Sequence, residues 1–206
     1  MEKIIFNKRF LARNEANYLG QYLTPSETVE NKQFEKKCIS IIAKKLKSSF
    51  VYLTSSCTAA LEVSSILSDL EPGDEVIMPS FTFSSTANAV ALRGGVPVFV
   101  DIKPDTLNID ERKINLAITS KTKAIVVVHY AGLACNMNAI LKLAKDNGLL
   151  VIEDAAQALG SCYNGMPLGT IGDFGAISFH KTKIFNAGKV AYLFPLIVST
   201  MIVLHI

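Results

Sequence analysis

The sequence has only four cysteines, and they lie far apart. They stand at positions 38, 57, 135 and 162, and the chain has no CxxC motif and no cluster of cysteine with histidine. Disulfide-framed domains and structural zinc sites need paired or clustered ligands, so neither is expected. Scattered cysteines are typical of reduced thiols in a cytoplasmic protein. We therefore predict a cytoplasmic location and no metal site.

A strong charge bias is also missing. The 21 basic and 18 acidic residues give a net charge of +3, and the first fifty residues hold the excess, with 10 basic and 5 acidic side chains. A nucleic-acid-binding protein usually has a stronger basic bias, so no nucleic-acid partner is expected. Half of the 206 residues are hydrophobic, which predicts one domain with a sizeable core and excludes a disordered or collagen-like polymer.

Recognisable targeting and membrane segments are absent as well. The first ten residues carry four charges and no apolar run, so no secretory signal is expected. Residues 190–206 are uncharged, but these 17 residues contain Pro195 and fall short of the roughly 20 apolar residues that span a bilayer. A membrane anchor is therefore not favoured, and this tail needs another explanation.

What the sequence does contain is an alternation of predicted strands and helices. Short apolar runs predict strands at 50–54, 75–78, 97–102, 123–129, 149–153 and 175–177. Apolar residues at helical spacing predict helices at 31–47, 58–70, 84–92, 110–118 and 138–147, the fourth capped by Asp110 and the last stopped by Gly148. Buried-type strands separated by helices are typical of a mostly parallel sheet covered on both faces. The predicted fold class is α/β.

Chemically useful side chains follow the predicted strands. Small hydroxyl residues, aromatics, two histidines, a carboxylate and a lysine occur in segments 55–60, 79–83, 129–132, 154–157 and 178–183. Ligands of such sheets bind at the carboxyl ends of the strands, so we predict the functional site at this edge. The chain has no GxGxxG and no GxxxxGK[ST] motif, and nicotinamide and P-loop functions therefore lose their main support.

These segments together resemble the sugar aminotransferases of the DegT/DnrJ/EryC1/StrS family, a branch of the fold-type I pyridoxal-phosphate (PLP) enzymes. The resemblance rests on SSCTAALE (55–62), PGDEVIMPSFTFSSTANAV (72–90), PVFVDIKPDTLNID (97–110), VVVHYAG (126–132), VIEDAAQALGS (151–161) and GTIGDFGAISFHKTK (169–183). It runs in order to about residue 188. It implies a fold-type I large domain with α/β/α layers and PLP as the cofactor.

The resemblance implies a role for each polar residue at the predicted edge. Asp154 is implied to pair with the pyridinium nitrogen of PLP; its alternative role is that of a plain helix N-cap. Gln157 is implied to face the phenolic oxygen; its alternative role is that of a surface amide. Phe83 is implied to stack on the ring, although a lone phenylalanine more often lies in a core. His180 is implied to lie near the ring, whereas His129 is left out because it could be a satisfied core histidine.

The phosphate of PLP has three implied partners. Thr58 and Ala59 open a helix directly after a strand, and N–H groups at a helix N-terminus bind anions. Ser178 is implied to add a second hydroxyl. A capping role for Thr58 is compatible with phosphate binding.

Lys183 is the predicted catalytic residue. The resemblance implies this role, because the family pattern Ser-Phe-His-x-Thr-Lys has its reactive lysine at the position of Lys183 and leaves Lys181 as the variable position. A lysine amine can form a covalent bond to an aldehyde and can shuttle a proton. A solvated surface lysine is the alternative, and Lys181 and Lys189 are close by in sequence.

The resemblance ends near the uncharged tail. We expect residues 1–188 to be the N-terminal part of the PLP-binding large domain and residues 189–206 to be an apolar tail outside the family pattern. The C-terminal small domain of the family is expected to be absent, with a sheet left open at one edge. A frameshift or premature stop is the expected origin, with a deliberate short form or a cryptic anchor as alternatives.

The implied reaction moves an amino group, with glutamate as the expected donor, to the C4 ketone of a dTDP-4-keto-6-deoxyhexose for surface polysaccharide synthesis. The implied partners are the nucleotide sugar, the amino acid and a second copy in a homodimer. A sugar-nucleotide dehydratase of the same family is one alternative, but those enzymes carry histidine where this chain has Lys183. A non-catalytic remnant is the other. The 206-residue chain itself is expected to be poorly soluble, to bind PLP weakly and not to transaminate.

Overall fold

The computed structural model describes residues 14–23, 33–180, 182–183 and 200–204. Its strands are β1 (Val51–Thr54), β2 (Glu75–Pro79), β3 (Val96–Val100), β4 (Thr122–Val128), β5 (Leu150–Asp154), β6 (Cys162–Tyr163), β7 (Met166–Pro167), β8 (Phe174–Ser178) and β9 (Thr200–Leu204). Its helices are α1 (Glu15–Leu23), α2 (Gln33–Leu46), α3 (Cys57–Leu67), α4 (Ser84–Ala91), α5 (Glu111–Ala117) and α6 (Met137–Asn147). A short 3-10 turn covers Tyr130–Gly132.

Seven strands form one sheet in the order β1-β9-β8-β5-β4-β2-β3, and β6 and β7 form a separate ladder. The neighbours from β8 to β3 are parallel, as predicted, whereas β9 runs antiparallel to both of its neighbours. Each predicted strand and helix is present within about three residues of its expected bounds. Helix α1 and the strands β6, β7 and β9 were not predicted from the sequence.

Both faces of the sheet are covered, because successive side chains of a strand point to opposite sides. On one face, α3 and α4 bury Val76, Met78 and Ile152. On the other, α5 and α6 bury Ile77 and Val151. A third cluster contains Val51, Ile177 and Leu46 of α2. The apolar strands are therefore buried on both faces, as expected for a parallel α/β sheet.

Local signals in the sequence explain where several helices begin and end. Ser56, and not the Thr58 considered from the sequence, caps α3 by accepting the N–H of Ala59. Asp110 caps α5 by accepting the N–H of Arg112, as predicted. Gly148 ends α6 with a left-handed φ of 67°, which glycine adopts without strain.

Residues 200–204 of the expected tail form β9, which lies inside the sheet, and the outermost strands of the described sheet are β1 and β3. β9 lies between β1 and β8, with Ile202 opposite Tyr52 on one side and Ala176 on the other. The uncharged tail contains β-branched residues that favour strands, so its pairing with two neighbours has a physical basis. Residues 190–199 lie outside the described residues.

Among the described residues, no helix combines the length and the apolar character that a membrane span requires.

Candidate active site

All eight predicted site residues lie where strands end at one edge of the sheet. Thr58 and Ala59 are in the first turn of α3, Phe83 immediately precedes α4, and Gln157 follows β5 in a turn. Asp154 ends β5 and Ser178 ends β8, and His180 and Lys183 come directly after β8. The described residues contain no cluster of ligands that could hold a metal ion.

Asp154 carries a buried carboxylate at this edge. Its Oδ2 accepts a hydrogen bond of 2.9 Å from Oγ1 of Thr86, and its Oδ1 accepts one of 3.2 Å from the N–H of Ala156. Burial raises the pKa of Asp154, while these two hydrogen bonds and the positive charge of Lys183 act to lower it. Residues 155–160 form turns, so Asp154 does not cap a helix there.

The sequence analysis did not identify Thr86 or Thr82 as part of this site. Oγ1 of Thr82 donates to Oγ1 of Thr86 at 2.8 Å, and Thr86 in turn donates to Asp154. Thr82 lies in a bend just before α4, and Thr86 lies in the first turn of that helix. Asp154 is 68 residues beyond Thr86, so no local pattern connects it to them.

Glu153, next to Asp154 in the chain, is a buried carboxylate that was not predicted from the sequence. It is fully buried and lies beside the fully buried His129, whose Nε2 is 2.8 Å from its Oε2. His129 Nδ1 accepts the N–H of Cys135, so Nε2 carries the proton that is donated to Glu153. His129 is therefore the satisfied core histidine that the sequence analysis considered.

Glu153 also holds the loop that precedes β8. Its two carboxylate oxygens accept backbone N–H groups of Gly169, Ile171 and Gly172 at 2.6–2.9 Å. Burial by itself would raise the pKa of Glu153, but the hydrogen bonds from His129 and from this loop bring that pKa below its usual range. Four donors thus compensate one buried negative charge.

Gln157 presents its amide at the same edge as Asp154. Its Oε1 accepts the N–H of Ala131 at 2.7 Å, and Ala131 has a left-handed φ of 52°. With the oxygen engaged, the NH₂ group is the end of the amide that can donate to a ligand. This arrangement is compatible with the implied contact to a phenolic oxygen.

The residues predicted to bind phosphate make local contacts. The N–H of Ala59 donates to the Ser56 hydroxyl at 3.0 Å, so the helix cap occupies one of the two expected anion donors. Thr58 is half-buried in the same turn. Ser178 is buried, and its Oγ accepts the N–H of His180 at 3.2 Å.

The aromatic residues near α4 are exposed. Phe83 is 74% exposed, which excludes the core position that was its alternative. Phe81 packs against Tyr130 with ring centroids 5.1 Å apart and an interplanar angle of 57°. The Phe83 ring can therefore contact a bound planar group.

Lys183 stands in a tight turn after β8. Its N–H donates to the carbonyl of His180 at 2.8 Å, and Nδ1 of His180 is 2.9 Å from Oγ1 of Thr182. Lys183 is half-buried, and its charge acts on both Asp154 and Cys57, so it belongs to the same electrostatic site. The two competing lysines, at 181 and 189, lie outside the described residues.

Comparison with curated proteins places this site in a family context. The Bacillus subtilis spore coat polysaccharide biosynthesis protein SpsC is 45% identical over 157 residues, which are 76% of this chain and 39% of SpsC. The GDP-perosamine synthase of Caulobacter vibrioides is 45% identical over 132 residues, which are 64% of this chain and 36% of that protein. This chain therefore spans less than half the length of either relative.

Solved structures share the fold over most of the chain. The PLP form of the putative sugar aminotransferase Spr1654 from Streptococcus pneumoniae matches with a TM-score of 0.84 and 28% identity, over 98% of this chain and 53% of that one. The aminotransferase from Psychrobacter cryohalolentis matches with a TM-score of 0.76 and 36% identity, over 82% of this chain and 41% of that one. The architecture is that of the fold-type I PLP enzymes.

The family model described as the DegT/DnrJ/EryC1/StrS aminotransferase family matches residues 12–192, slightly beyond the expected limit at 188. Its members use pyridoxal phosphate as cofactor. The structural matches, the sequence relatives and the family model agree, and this chain belongs to the DegT/DnrJ/EryC1/StrS aminotransferase family.

Proposed function

We propose that this chain forms the cofactor-binding part of a PLP-dependent sugar-nucleotide aminotransferase. The observation that carries the proposal is the buried Asp154 carboxylate, within electrostatic range of Lys183 at the carboxyl edge of the sheet. In this proposal residues 1–188 belong to the PLP-binding large domain, and residues 189–206 follow them as an apolar tail. The tail contributes β9 to the sheet.

The residues present fit the chemistry of the cofactor. Burial raises the pKa of Asp154, so a positively charged partner would stabilise its ionised form. The Asp154 carboxylate can accept a hydrogen bond from a protonated ring nitrogen. The NH₂ group of Gln157 can donate to a phenolic oxygen, and the exposed Phe83 ring can cover a ring face. Thr58 and Ser178 provide hydroxyl donors for a phosphate, whereas the Ala59 N–H would have to leave the Ser56 hydroxyl to join them. His180 lies beside Ser178 in the turn after β8.

Lys183 is the proposed catalytic residue. When bound, PLP supplies an aldehyde and an electron sink. With the cofactor bound, Lys183 would hold it at the aldehyde, and the free Lys183 amine would accept and return the proton at the substrate carbon that carries the amino group. The ionised form of Asp154 would stabilise positive charge on the ring nitrogen.

The proposed substrates are an amino acid, with glutamate as the expected donor, and a dTDP-4-keto-6-deoxyhexose used for surface polysaccharides. Support comes from the names of similar proteins, which include a GDP-perosamine synthase and a DesI structure determined in the presence of its TDP-sugar product. A homodimer in the cytoplasm is part of the same proposal. The dehydratase alternative is disfavoured because the chain carries Lys183 rather than histidine.

A chimera tests this function. Residues 1–183 of this chain replace the matching part of SpsC, and the purified protein is given PLP, glutamate and a series of 4-keto nucleotide sugars. We expect amination of at least one sugar, and loss of that activity in the same chimera with Lys183→Ala. A folded chimera that binds PLP but aminates none of the sugars contradicts the proposal.

The 206-residue chain alone serves as the comparison for the chimera. We propose that it binds PLP more weakly than the chimera and does not transaminate, because it spans only 39% of the length of SpsC. Turnover of a keto sugar nucleotide by this chain alone contradicts that part of the proposal.

A further inference from the structure

Two threonine hydroxyls form a chain that ends on the buried Asp154 carboxylate. Oγ1 of Thr82 donates to Oγ1 of Thr86 at 2.8 Å, and Oγ1 of Thr86 donates to Oδ2 of Asp154 at 2.9 Å. Thr86 is 1% exposed and Asp154 is 5% exposed. Because water barely reaches either group, the Thr86 hydroxyl is a donor that solvent cannot readily replace.

The direction of these two hydrogen bonds depends on whether Asp154 is ionised. A hydroxyl has one proton, and an ionised carboxylate only accepts hydrogen bonds. With Thr82 donating to the Thr86 oxygen, the single Thr86 proton is left for Asp154. The arrangement therefore matches the ionised carboxylate and opposes its protonation.

We propose that Thr86 is a positioning residue of the cofactor site, whose hydroxyl, oriented by Thr82, keeps the Asp154 carboxylate ionised and fixed in one orientation. The proposal rests on the proposed function, in which ionised Asp154 pairs with the ring nitrogen of PLP. Thr86 acts through Asp154 and does not itself touch the reacting atoms.

Other charged or titratable groups also act on Asp154 or are acted on by it. They are Cys57 at the start of α3, His129 after β4 and Lys183 after β8. The charge of Lys183 and the hydrogen bonds from Thr86 and Ala156 oppose the effect of burial. Of these contributions, the Thr86 bond is the one that a single hydroxyl deletion removes.

The test measures the titration of Asp154 without cofactor. The full 206-residue chain is labelled with ¹³C at the aspartate carboxyl carbon, and the Asp154 signal is assigned by its loss in Asp154→Asn. In Thr86→Val the midpoint is expected to rise by about one pH unit or more, since a hydrogen bond to a charged group is worth about one to two pKa units. Thr86→Ser restores the hydroxyl and is expected to restore the midpoint.

Two further variants keep the test decisive. Thr82→Val leaves the Thr86 hydroxyl but removes its donor, so we expect a smaller rise in the same direction, measurable even if Thr86→Val does not fold. Thr170→Val is the matched control, because its buried hydroxyl donates to the Pro167 carbonyl, and it should leave the Asp154 midpoint unchanged.

An unchanged Asp154 midpoint in Thr86→Val, or in Thr82→Val if only that variant folds, overturns the proposal, whatever happens to stability. PLP affinity is measured separately on the same proteins between pH 6 and pH 8. Failure of the wild-type chain to bind PLP counts against the proposed function alone, because the titration is made without the cofactor.

Discussion

Glu153 and Asp154 are adjacent in the chain but serve opposite faces of the sheet. Asp154 contacts Thr86 on α4, whereas Glu153 contacts His129 and the loop before β8. The two environments move the pKa values in opposite directions, since the buried Asp154 has two donors and the buried Glu153 has four. The Glu153 carboxylate thus stabilises the fold, and Asp154 is the carboxylate of the proposed cofactor contact.

Replacing Lys183 with alanine should abolish covalent attachment of PLP. The protein is incubated with PLP, reduced with borohydride and digested, and the modified peptide is located by mass spectrometry. Wild-type protein should carry the label on Lys183, and Lys181→Ala should keep it as the control. Label found on Lys181 or Lys189 in the wild type would show that the assignment is wrong.

Asp154→Asn should weaken PLP binding by roughly tenfold to a hundredfold. The variant keeps the shape of the side chain but removes the charge, and a charge-assisted hydrogen bond is worth about 1.5–3 kcal/mol. Affinity is measured from the absorbance change on titration with PLP. Asp146→Asn, at an exposed ion pair with Lys142, should bind as the wild type does. Equal affinity in both variants would contradict the proposed role of Asp154.

Glu153→Gln should lower the free energy of unfolding by about 3 kcal/mol or more. The amide NH₂ would face backbone N–H groups or His129 where a carboxylate oxygen now accepts, which leaves buried donors unpaired. Urea denaturation measures the change. Glu71→Gln, at an exposed position, should alter stability by less than about 0.5 kcal/mol.

The Glu153 effect should also depend on pH. Because its pKa is lower in the folded protein than the usual 4.5, its stabilising contribution is present above that value and is lost as the pH falls through the folded pKa. The stability gap between wild type and Glu153→Gln should therefore shrink below about pH 4.5. A gap that stays constant down to acid unfolding would argue against an ionised Glu153.

Gly175→Ala should destabilise the protein by about 3 kcal/mol or more. A Cβ at Gly175 would collide with the backbone carbonyl of Gly169, in the loop that Glu153 holds, and backbone cannot move as a side-chain end can. Gly20→Ala is the control, because a Cβ added at Gly20 would meet no atom within 4 Å. Alanine also favours a helix over glycine by up to about 1 kcal/mol. Thermal unfolding of both variants checks the contrast, and similar melting temperatures would contradict it.

Ile202→Pro should destabilise the sheet and promote aggregation. Ile202 lies in β9 between β1 and β8, and proline removes a backbone donor from a strand with a neighbour on each side. A loss of about 3 kcal/mol in urea unfolding is expected, together with a rise in light scattering. Ile202→Val keeps the backbone donor and should behave nearly as the wild type. An unchanged free energy of unfolding in Ile202→Pro would show that β9 does not stabilise the sheet.

Much of the fold could be predicted from local patterns. The apolar runs indicated the strands, and Asp110 and Gly148 marked the ends of their helices, because capping and periodicity depend on residues close in sequence. Helix α1 was missed. The strand β9 could not be placed either, since its two partners are far away in the chain and pairing is decided by the whole sheet.

The sequence by itself determined the family, the α/β class and the edge of the sheet where Asp154, Gln157 and Lys183 lie. Strands, turns and motifs depend on residues that are close together in the sequence. Only the tertiary structure decided that Thr86 donates to Asp154 and that Glu153 faces the other way to hold His129 and its loop. Those partners come from elements separated by up to 68 residues. Their contacts depend on which side of the strand each residue faces and on which element packs there, and no stretch of neighbouring residues encodes that packing.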